Sequence, residues 1–199
     1  MLCLLRYKND NGLFLLYNKF KERVENMIYF VRHGQTEWNK IGRMQGRIDI
    51  ELNNEGKQQA MIVREKLKDV KFDKVFSSPL KRAVETAKII CDQEVLVDDR
   101  LIERCNGELE GKLKTEIEEF PDFNNPNDTR FGIESLNNFK ARINNFLDET
   151  LKTYKDKNVL VVTHAGVCLY VRCYFEGEPN GNLYENYKLK NGEVLSYKN

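Results

Sequence analysis

The sequence lacks an excess of charge of either sign, and it contains no long apolar run. Lys and Arg number 32 against 31 Asp and Glu, so the formal net charge is +1. This balance argues against a general electrostatic attraction to nucleic acid or to an anionic membrane. No apolar stretch approaches the roughly 18–20 residues that a membrane-crossing helix needs. We therefore expect neither nucleic acid nor membrane as a partner, and any affinity for a small anionic ligand must come from a local cluster of cations.

Cysteine pairs at metal-binding or redox spacing are also missing. None of the five cysteines belongs to a C-x-x-C pair or stands at metal-ligand spacing from a histidine: Cys3, Cys91, Cys105, Cys168 and Cys173. The H-E-x-x-H, EF-hand, Walker-type and C-x5-R patterns are absent as well. We expect reduced thiols in a cytoplasmic protein that uses neither a metal nor a cofactor.

Residues 1–26 differ from the rest of the chain. Two short apolar bursts, 1–5 and 13–17, flank a polar run, so the continuous apolar stretch of a signal peptide is missing. Two interpretations stay open for this segment. It is either a peripheral N-terminal extension or the result of a misassigned translation start, with Met27 as the true first residue. Residues 27–199 are expected to form one domain.

From Met27 onward, apolar runs alternate with segments of helical periodicity. The runs typical of buried strands are 27–32, 73–78, 94–97 and 158–163. Helices are predicted over 54–69, from Pro79 to about Asp92, over 135–155, and from about Gly166 to Phe175. A hairpin is predicted around Asn191-Gly192, and a loop over 120–130. Strands that alternate with helices over one sheet indicate an α/β/α sandwich.

The chain has only two histidines, and each directly follows a predicted buried strand. In sheets of this kind the ligand site lies beyond the carboxyl ends of the strands. That rule selects the pairs Arg32-His33, Ser77-Ser78 and Thr163-His164. A single histidine is more often structural than catalytic, but two directed into one crevice favour a catalytic site.

The string RHGQTEWN at 32–39 resembles the signature of the histidine phosphatase superfamily, the phosphoglycerate-mutase-like fold. Further blocks follow in the family's order: GRMQG (42–46), LNNEGKQQA (52–60), SSPLKRAVETA (77–87), LIERCNGELEG (101–111), GIESLNNFKAR (132–142) and VVTHAG (161–166). The resemblance covers nearly everything from 27 to 175. It implies a three-layer α/β/α sandwich on a mostly parallel mixed sheet.

The same resemblance implies roles for individual residues. His33 would be the nucleophile that becomes phosphohistidine, and Glu103 the proton donor. Arg32, Arg82 and His164 would surround the phosphoryl oxygens. The full substrate- and phosphate-binding set that it implies is Arg32, Asn39, Gln45, Gly46, Arg82, His164 and Ala165.

Elementary chemistry agrees with these roles. Phosphoryl transfer spreads charge over three oxygens, and a guanidinium fork binds two of them while staying protonated. His33 must attack as a neutral imidazole, and nearby Arg32 and Arg82 disfavour a further positive charge. Its second ring nitrogen needs an acceptor that holds the tautomer, and we expect a backbone carbonyl. Glu103 would protonate the departing alkoxide and later accept a proton from water.

Alternatives remain for several positions. Arg82 could be an exposed helix residue paired with Glu85, and Glu110 competes with Glu103 for the acid role. Three glycines, Gly34, Gly46 and Gly111, could simply permit tight turns. Trp38 is interpreted as a packing residue and Cys105 as a bystander near the acid.

For function, we expect a metal-independent phosphatase that acts on small phosphomonoesters. The segment between Gly111 and Ser135 is short and acidic and has no adjacent arginine pair, which favours hydrolysis over the retention of a bisphosphorylated intermediate. Lys112, Lys114 and Arg130 are candidates for contact with a second anionic group of the substrate. The alternatives are a phosphoglycerate mutase-type phosphotransferase and an inactive phosphate-binding or interaction module.

Overall fold

The computed structural model describes residues 26–179 and 186–199, so the predicted extension lies outside the described residues except for Asn26. The strands are β1 (Met27–Arg32), β2 (Lys74–Ser77), β3 (Leu96–Val97), β4 (Val159–Thr163) and β5 (Val194–Lys198). The helices are α1 (Glu37–Lys40), α2 (Asn54–Lys66), α3 (Lys81–Ile90), α4 (Leu136–Thr153) and α5 (Ala165–Glu176).

The five strands form one mixed sheet in the order β3–β2–β4–β1–β5. The first four strands in this order run parallel, and β5 pairs antiparallel with β1. All five residues of the central strand β4 are buried. This explains the unbroken apolar run in the sequence, because a parallel strand covered on both faces needs no polar side.

The side chains of β4 divide between two hydrophobic cores. Val159 and Val161 pack with residues of α4 and α5, whereas Leu160 and Val162 pack with residues of α2 and α3. Because successive strand residues point to opposite faces, the two helix pairs cover opposite sides of the sheet. The predicted three-layer α/β/α sandwich is confirmed.

Helices α2 and α4 each begin after a residue whose side chain caps the first turn. Asn53 accepts a hydrogen bond from the backbone N–H of Gly56 at the start of α2, and Ser135 accepts one from Asn138 at the start of α4. The helix predicted from Pro79 begins instead at Lys81. The backbone N–H of Ser78 bonds to the carbonyl of Val162, which keeps this stretch extended alongside β4.

Two strand predictions need correction. Only Leu96–Val97 of the run 94–97 forms a strand, which pairs with the end of β2. The predicted C-terminal hairpin is wrong, because described residues 186–190 are not a strand. A turn does form at Asn191-Gly192, but there the backbone of Gly192 bonds to Arg32 and β5 pairs with β1. The buried strand β1 supplies the hydrogen-bond partners that the hairpin would have provided.

Across residues 26–179 and 186–199, no helix is long and apolar enough to cross a membrane. The four cysteines in this part of the chain, Cys91, Cys105, Cys168 and Cys173, are not in disulfides.

Candidate active site

The carboxyl ends of β1, β2 and β4 place the two histidines next to each other. β4 lies between the other two strands, and the backbone N–H of His33 donates to the carbonyl of Thr163 at 2.9 Å. The ring centroids of His33 and His164 are 5.1 Å apart, with the ring planes inclined by 62°. The two imidazoles therefore lie side by side, as the strand order predicts, but of the two only His33 lines the cavity.

His33 is held in one tautomer and in its neutral form. Its Nδ1 lies 2.7 Å from the carbonyl oxygen of Gly34, which can only accept, so Nδ1 carries the ring proton. Burial lowers the pKa of His33 well below its ordinary value of 6.5, and the charges of Arg82 and Arg32 lower it further. The lone pair therefore resides on Nε2, as a nucleophile requires. The expected backbone-carbonyl partner is confirmed.

Arg82 contacts that lone pair directly. Its Nε donates to Nε2 of His33 at 3.2 Å, while Nη1 and Nη2 donate to the carbonyls of Ile48 and Gly46 at 2.8 and 2.7 Å. The residue is only 1% exposed. Burial lowers its pKa to about 10, so it remains a cation at neutral pH.

The alternative of an exposed Arg82 paired with Glu85 is wrong. Glu85 instead forms an ion pair with Lys57 at 3.2 Å and accepts a hydrogen bond from the backbone of Leu52. Arg82 and Glu85 therefore project from α3 in different directions, Arg82 toward the histidines and Glu85 toward α2.

Arg32 lines the cavity next to His33, and its Nη1 donates to the carbonyl of Leu189 at 2.6 Å. The loop that follows β1 adds two amide side chains. Oδ1 of Asn39 accepts from the backbone N–H of Thr36 at 3.1 Å, and Oε1 of Gln45 lies 3.0 Å from the Thr36 hydroxyl. Because the amide oxygens are used in this way, the amide nitrogens are the groups left to donate into the cavity. Thr36, which the sequence analysis did not single out, organises both.

His164 is fully buried, and its Nε2 lies 2.6 Å from the hydroxyl of Ser78. Its Nδ1 is buried and has no hydrogen-bond partner among the described residues. Burial lowers the pKa of His164 well below 6.5, and the charge of Arg82 adds to the effect. Ser78 thus holds the neutral ring of His164 in place beside the ring of His33.

Glu103 reaches the cavity, and Gly166 provides the space for it. Its Oε1 accepts from the backbone N–H of Arg104 at 2.8 Å, and its Oε2 accepts from that of Gly166 at 3.1 Å. A Cβ atom on Gly166 would lie 2.6 Å from Oε1, inside van der Waals contact. The glycine of the THAG block therefore gives the carboxylate its position at the start of α5.

Glu110, the rival acid, has a different environment. Its Oε1 accepts from the backbone N–H groups of Arg47 and Asn106 at 3.0 and 2.9 Å. A Cβ on Gly46, whose φ is +49°, would lie 2.0 Å from the same oxygen. Glu110 joins two loops, whereas Glu103 is the one of the two that lines the cavity.

Gly34 is needed for a close approach rather than for a turn. A Cβ at this position would lie 2.3 Å from the carbonyl oxygen of Gly56, and one on Gly56 would lie 2.1 Å from that of Gln35. The start of α2 thus packs directly on the loop that carries His33. Two glycines, one from each of two family blocks, make this contact possible.

The cavity has a volume of about 860 Å³, and His33, Arg32, Arg82 and Glu103 all line it. Its lining also includes a set of aromatic and cationic side chains: Phe120, Phe123, Phe139, Tyr170, Arg104, Lys114 and Lys140. Gly46 and Ala165 also line it. Of the three cations proposed from the sequence, Lys114 lines the cavity, whereas Lys112 and Arg130 do not. Arg130 forms ion pairs with Asp128 and Glu119 instead.

Arg104 is a cavity residue that the sequence analysis missed. It is only 7% exposed, and it donates to the backbone carbonyls of Glu134 and Phe123 at 2.9 and 2.7 Å. Its Nη2 is buried without a hydrogen-bond partner in the part of the chain that the structure describes. Its position directly after Glu103 was the available signal.

Two further side chains near the site do not line the cavity. Trp38 packs beneath the guanidinium of Arg43, which lies 5.5 Å from the ring centroid, in keeping with a packing role. The half-buried Cys105 accepts a hydrogen bond from the backbone of Gly107. Among the described residues, no group of three His, Cys, Asp or Glu side chains is arranged to hold a metal ion.

Comparison with known proteins agrees with this geometry. The family model of the histidine phosphatase superfamily (branch 1) matches residues 28–198. Phosphoserine phosphatase 1 of Hydrogenobacter thermophilus is 38% identical over 69% of this chain and 70% of its own length. The metal-independent phosphoserine phosphatase of Arabidopsis thaliana is 38% identical over 73% of this chain and 67% of its own.

A solved structure extends the similarity to the fold. Phosphoserine phosphatase of Entamoeba histolytica, in complex with 3-phosphoglyceric acid, superposes with a TM-score of 0.73 at 29% identity. The match covers 86% of this chain and 89% of that one. The chain therefore belongs to the histidine phosphatase superfamily, branch 1, and it is a phosphatase that hydrolyses phosphomonoesters.

Proposed function

We propose that this phosphatase works in two steps, in which Nε2 of His33 carries the phosphoryl group between them without help from a metal ion. The observation that carries the proposal is the protonation of His33. Nδ1 is bound to the Gly34 carbonyl, Nε2 holds the lone pair, and burial keeps the ring uncharged. An inactive binding module would need no such nucleophile.

In the first step, Nε2 attacks phosphorus, and the bond from phosphorus to the substrate's alcohol oxygen breaks. Glu103 gives its proton to the departing oxygen, since an alkoxide is otherwise a poor leaving group. Arg32, Arg82 and His164 hold the phosphoryl oxygens, and Asn39 and Gln45 donate amide hydrogen bonds. The backbone N–H groups of Gly46 and Ala165, which line the same cavity, add further donors.

In the second step, water attacks the phosphohistidine, and the phosphorus–nitrogen bond breaks. Glu103 now accepts a proton from that water, and His33 returns as a neutral imidazole. Two easier displacements replace one difficult displacement. Fixed guanidinium groups supply the positive charge that metal ions supply in other phosphate-transfer sites.

The cationic side chains that line the cavity beside Glu103 suggest the substrate class. Arg104 presents a buried Nη2 without a partner, and Lys114 lies on the same cavity. A guanidinium in this condition is stabilised by a carboxylate, which accepts charge-assisted hydrogen bonds. We therefore propose a small phosphomonoester that carries a carboxylate near its phosphate, and O-phosphoserine, the substrate class named for the relatives, is the probe to try first.

The experiment compares O-phosphoserine with O-phosphoethanolamine, which lacks only the carboxylate, in the presence of a chelator. We expect turnover of O-phosphoserine by the wild type and none by His33→Ala. We also expect Arg104→Leu to raise the KM for O-phosphoserine at least 10-fold. The KM for O-phosphoethanolamine should stay nearly unchanged. Turnover that survives in His33→Ala contradicts the mechanism, and equal losses for both substrates contradict the carboxylate site.

The same assay includes phosphoglycerates, which test the mutase alternative. Interconversion of 2- and 3-phosphoglycerate faster than release of inorganic phosphate would favour a mutase. Absence of turnover across a wider panel of phosphomonoesters would favour a binding module.

We also propose a cytoplasmic location with no nucleic acid or membrane partner. Unpaired cysteines at the four described positions suit a reducing compartment. Cell fractionation with an antibody against the native protein tests this, and recovery in a membrane or secreted fraction would contradict it.

A further inference from the structure

The segment 189–193 contacts Arg32, which directly precedes His33 at the end of β1. The carbonyl of Leu189 accepts from Nη1 of Arg32 at 2.6 Å. The backbone N–H of Gly192 donates to the carbonyl of Arg32 at 3.0 Å, and the N–H of Arg32 donates to the carbonyl of Glu193 at 3.1 Å. Both the backbone and the guanidinium of Arg32 are thereby fixed by a loop almost 160 residues further along the chain.

Within this loop, Asn191 contacts the nucleophile's own backbone. Its Nδ2 donates to the carbonyl of His33 at 2.9 Å and to Oδ1 of Asn39 at 3.3 Å. An amide nitrogen has two hydrogens, and here each of them has one acceptor. One side chain thus joins the strand end that carries the nucleophile to a side chain of the phosphate-binding loop.

We propose that Asn191 is a positioning residue for phosphoryl transfer. The inference rests on the proposed function of His33. Asn191 acts through its neighbours: it fixes the His33 carbonyl, one peptide unit before the Gly34 carbonyl that sets the tautomer of the ring. It also fixes Oδ1 of Asn39, which leaves the Nδ2 of Asn39 directed into the cavity.

The chemistry of the contact restricts what can replace Asn191. Both of its partners are carbonyl-type oxygens that cannot donate, so the residue must be a donor. Aspartate has the same shape, but it would set a carboxylate against two acceptors and close to the substrate phosphate. Asn191→Asp should therefore lower the rate of His33 phosphorylation more than Asn191→Ala does, although aspartate has nearly the same volume as asparagine.

The chain contains a matched control. Oδ1 of Asn158 accepts from the backbone N–H of Met27 at 3.0 Å, so an asparagine also holds the opposite end of β1, far from the histidines. Its Nδ2 donates to the carbonyl of Lys71 at 3.2 Å. Asn158→Ala removes a comparable strand contact without touching the site.

The measurement is the single-turnover rate at which His33 becomes phosphorylated, followed by rapid quench together with KM and inhibition by inorganic phosphate. A misplacement of about 1 Å costs on the order of 100-fold in rate. We expect Asn191→Ala to lower the phosphorylation rate about 10- to 100-fold and Asn191→Asp to lower it more. Phosphate inhibition weakens in both variants, because Asn39 loses its support.

The pH dependence of the phosphorylation rate distinguishes a positioning role of Asn191 from a general loss of stability. A protonated carboxyl can donate to the His33 carbonyl, so the Asn191→Asp rate should recover relative to Asn191→Ala as the pH falls from 7 to 5. Asn158→Ala should lower the unfolding temperature and leave the phosphorylation rate unchanged.

The outcomes distinguish this inference from the proposed function. If wild-type His33 is not phosphorylated, the proposed function fails. If the wild type is phosphorylated and Asn191→Ala and Asn191→Asp match its rate, the positioning role is refuted. Should Asn191→Ala not fold, the comparison of Asn191→Asp at the two pH values decides in the same way.

Discussion

Nε of Arg82 donates a hydrogen bond to Nε2 of His33 at 3.2 Å, and both side chains are buried. Because arginine can only donate, this contact identifies Nε2 as the nitrogen with the lone pair. In the proposed attack, Arg82 must transfer its hydrogen bond from His33 to a phosphoryl oxygen. In this proposal the same guanidinium first orients His33 and then binds the phosphoryl group that His33 attacks.

A lysine cannot replace Arg82 in this arrangement. It keeps the charge, but a single ammonium cannot reach His33, Gly46 and Ile48 in the planar pattern of a guanidinium. We expect Arg82→Lys to lower kcat/KM at least 100-fold, which corresponds to about 3 kcal/mol. The control is Arg64→Lys, because Arg64 pairs with Asp92 at the surface. Steady-state kinetics check both variants, and near-normal kcat/KM in Arg82→Lys would contradict the assignment.

The two candidate acids can be distinguished by leaving group. Glu103→Gln should slow hydrolysis of O-phosphoserine by about 100- to 10,000-fold, the typical range of general acid–base catalysis. The same substitution should slow hydrolysis of p-nitrophenyl phosphate far less, since nitrophenolate leaves without protonation. Glu110→Gln weakens the acceptor for Arg47 and Asn106 and should lower stability by about 1–2 kcal/mol. Equal losses for the two substrates in Glu103→Gln would rule out the acid role.

Gly166 provides an independent test of Glu103. The methyl group of Gly166→Ala would displace the carboxylate, since a Cβ there lies 2.6 Å from Oε1. We expect the same leaving-group dependence as in Glu103→Gln, at a smaller amplitude. Gly177→Ala, at the other end of α5, places a Cβ in open space at φ +83° and should cost about 1–2 kcal/mol of stability with unchanged kinetics. Kinetics on both substrates together with thermal unfolding separate these effects.

Stability should fall as the pH drops below about 6.5. The chain's two histidines are both buried, and the pKa of each is held well below 6.5 in the folded state. Between 6.5 and those lower values, the unfolded chain takes up protons that the folded chain does not, so the free energy of unfolding falls as the pH falls. Each histidine contributes a slope of up to about 1.4 kcal/mol per pH unit.

Denaturant unfolding between pH 5.5 and 7.5 measures this dependence. The ordinary pKa values of Asp and Glu side chains lie below this range and that of histidine lies within it, so the two histidines are expected to dominate the dependence. Because His164→Gln removes one of the two histidines, it should reduce the slope of the free energy of unfolding against pH by about half. A free energy of unfolding that rises as the pH falls from 6.5 would contradict the buried neutral histidines.

The sequence was sufficient for the parts of the fold that follow from local patterns. β1 and β4 are unbroken apolar runs, and α4 shows a clear apolar stripe, so their bounds agree with the predictions to within one or two residues. The ends of parallel strands then bring His33 and His164 together. Family blocks also identified Arg82, whose spacing alone would equally suit a surface residue.

Contacts between distant segments could not be predicted from local patterns. Asn191 lies in what reads as a hairpin turn, and only the pairing of β5 with β1 brings it to His33. The place of Arg104 in the cavity could not be predicted for a similar reason, since its burial depends on how Phe123 and Phe139 pack around it. Gly166 reads as a helix start, although its function is to leave room for Glu103.

Identification of the phosphorylated atom tests the phosphohistidine mechanism most directly. Enzyme mixed with substrate is quenched in alkali, digested, and analysed by mass spectrometry, with 31P NMR to distinguish the two ring nitrogens. A phosphoryl group is expected on Nε2 of His33, and none in His33→Ala. Phosphate on Nδ1, on His164 or on any other residue would contradict it.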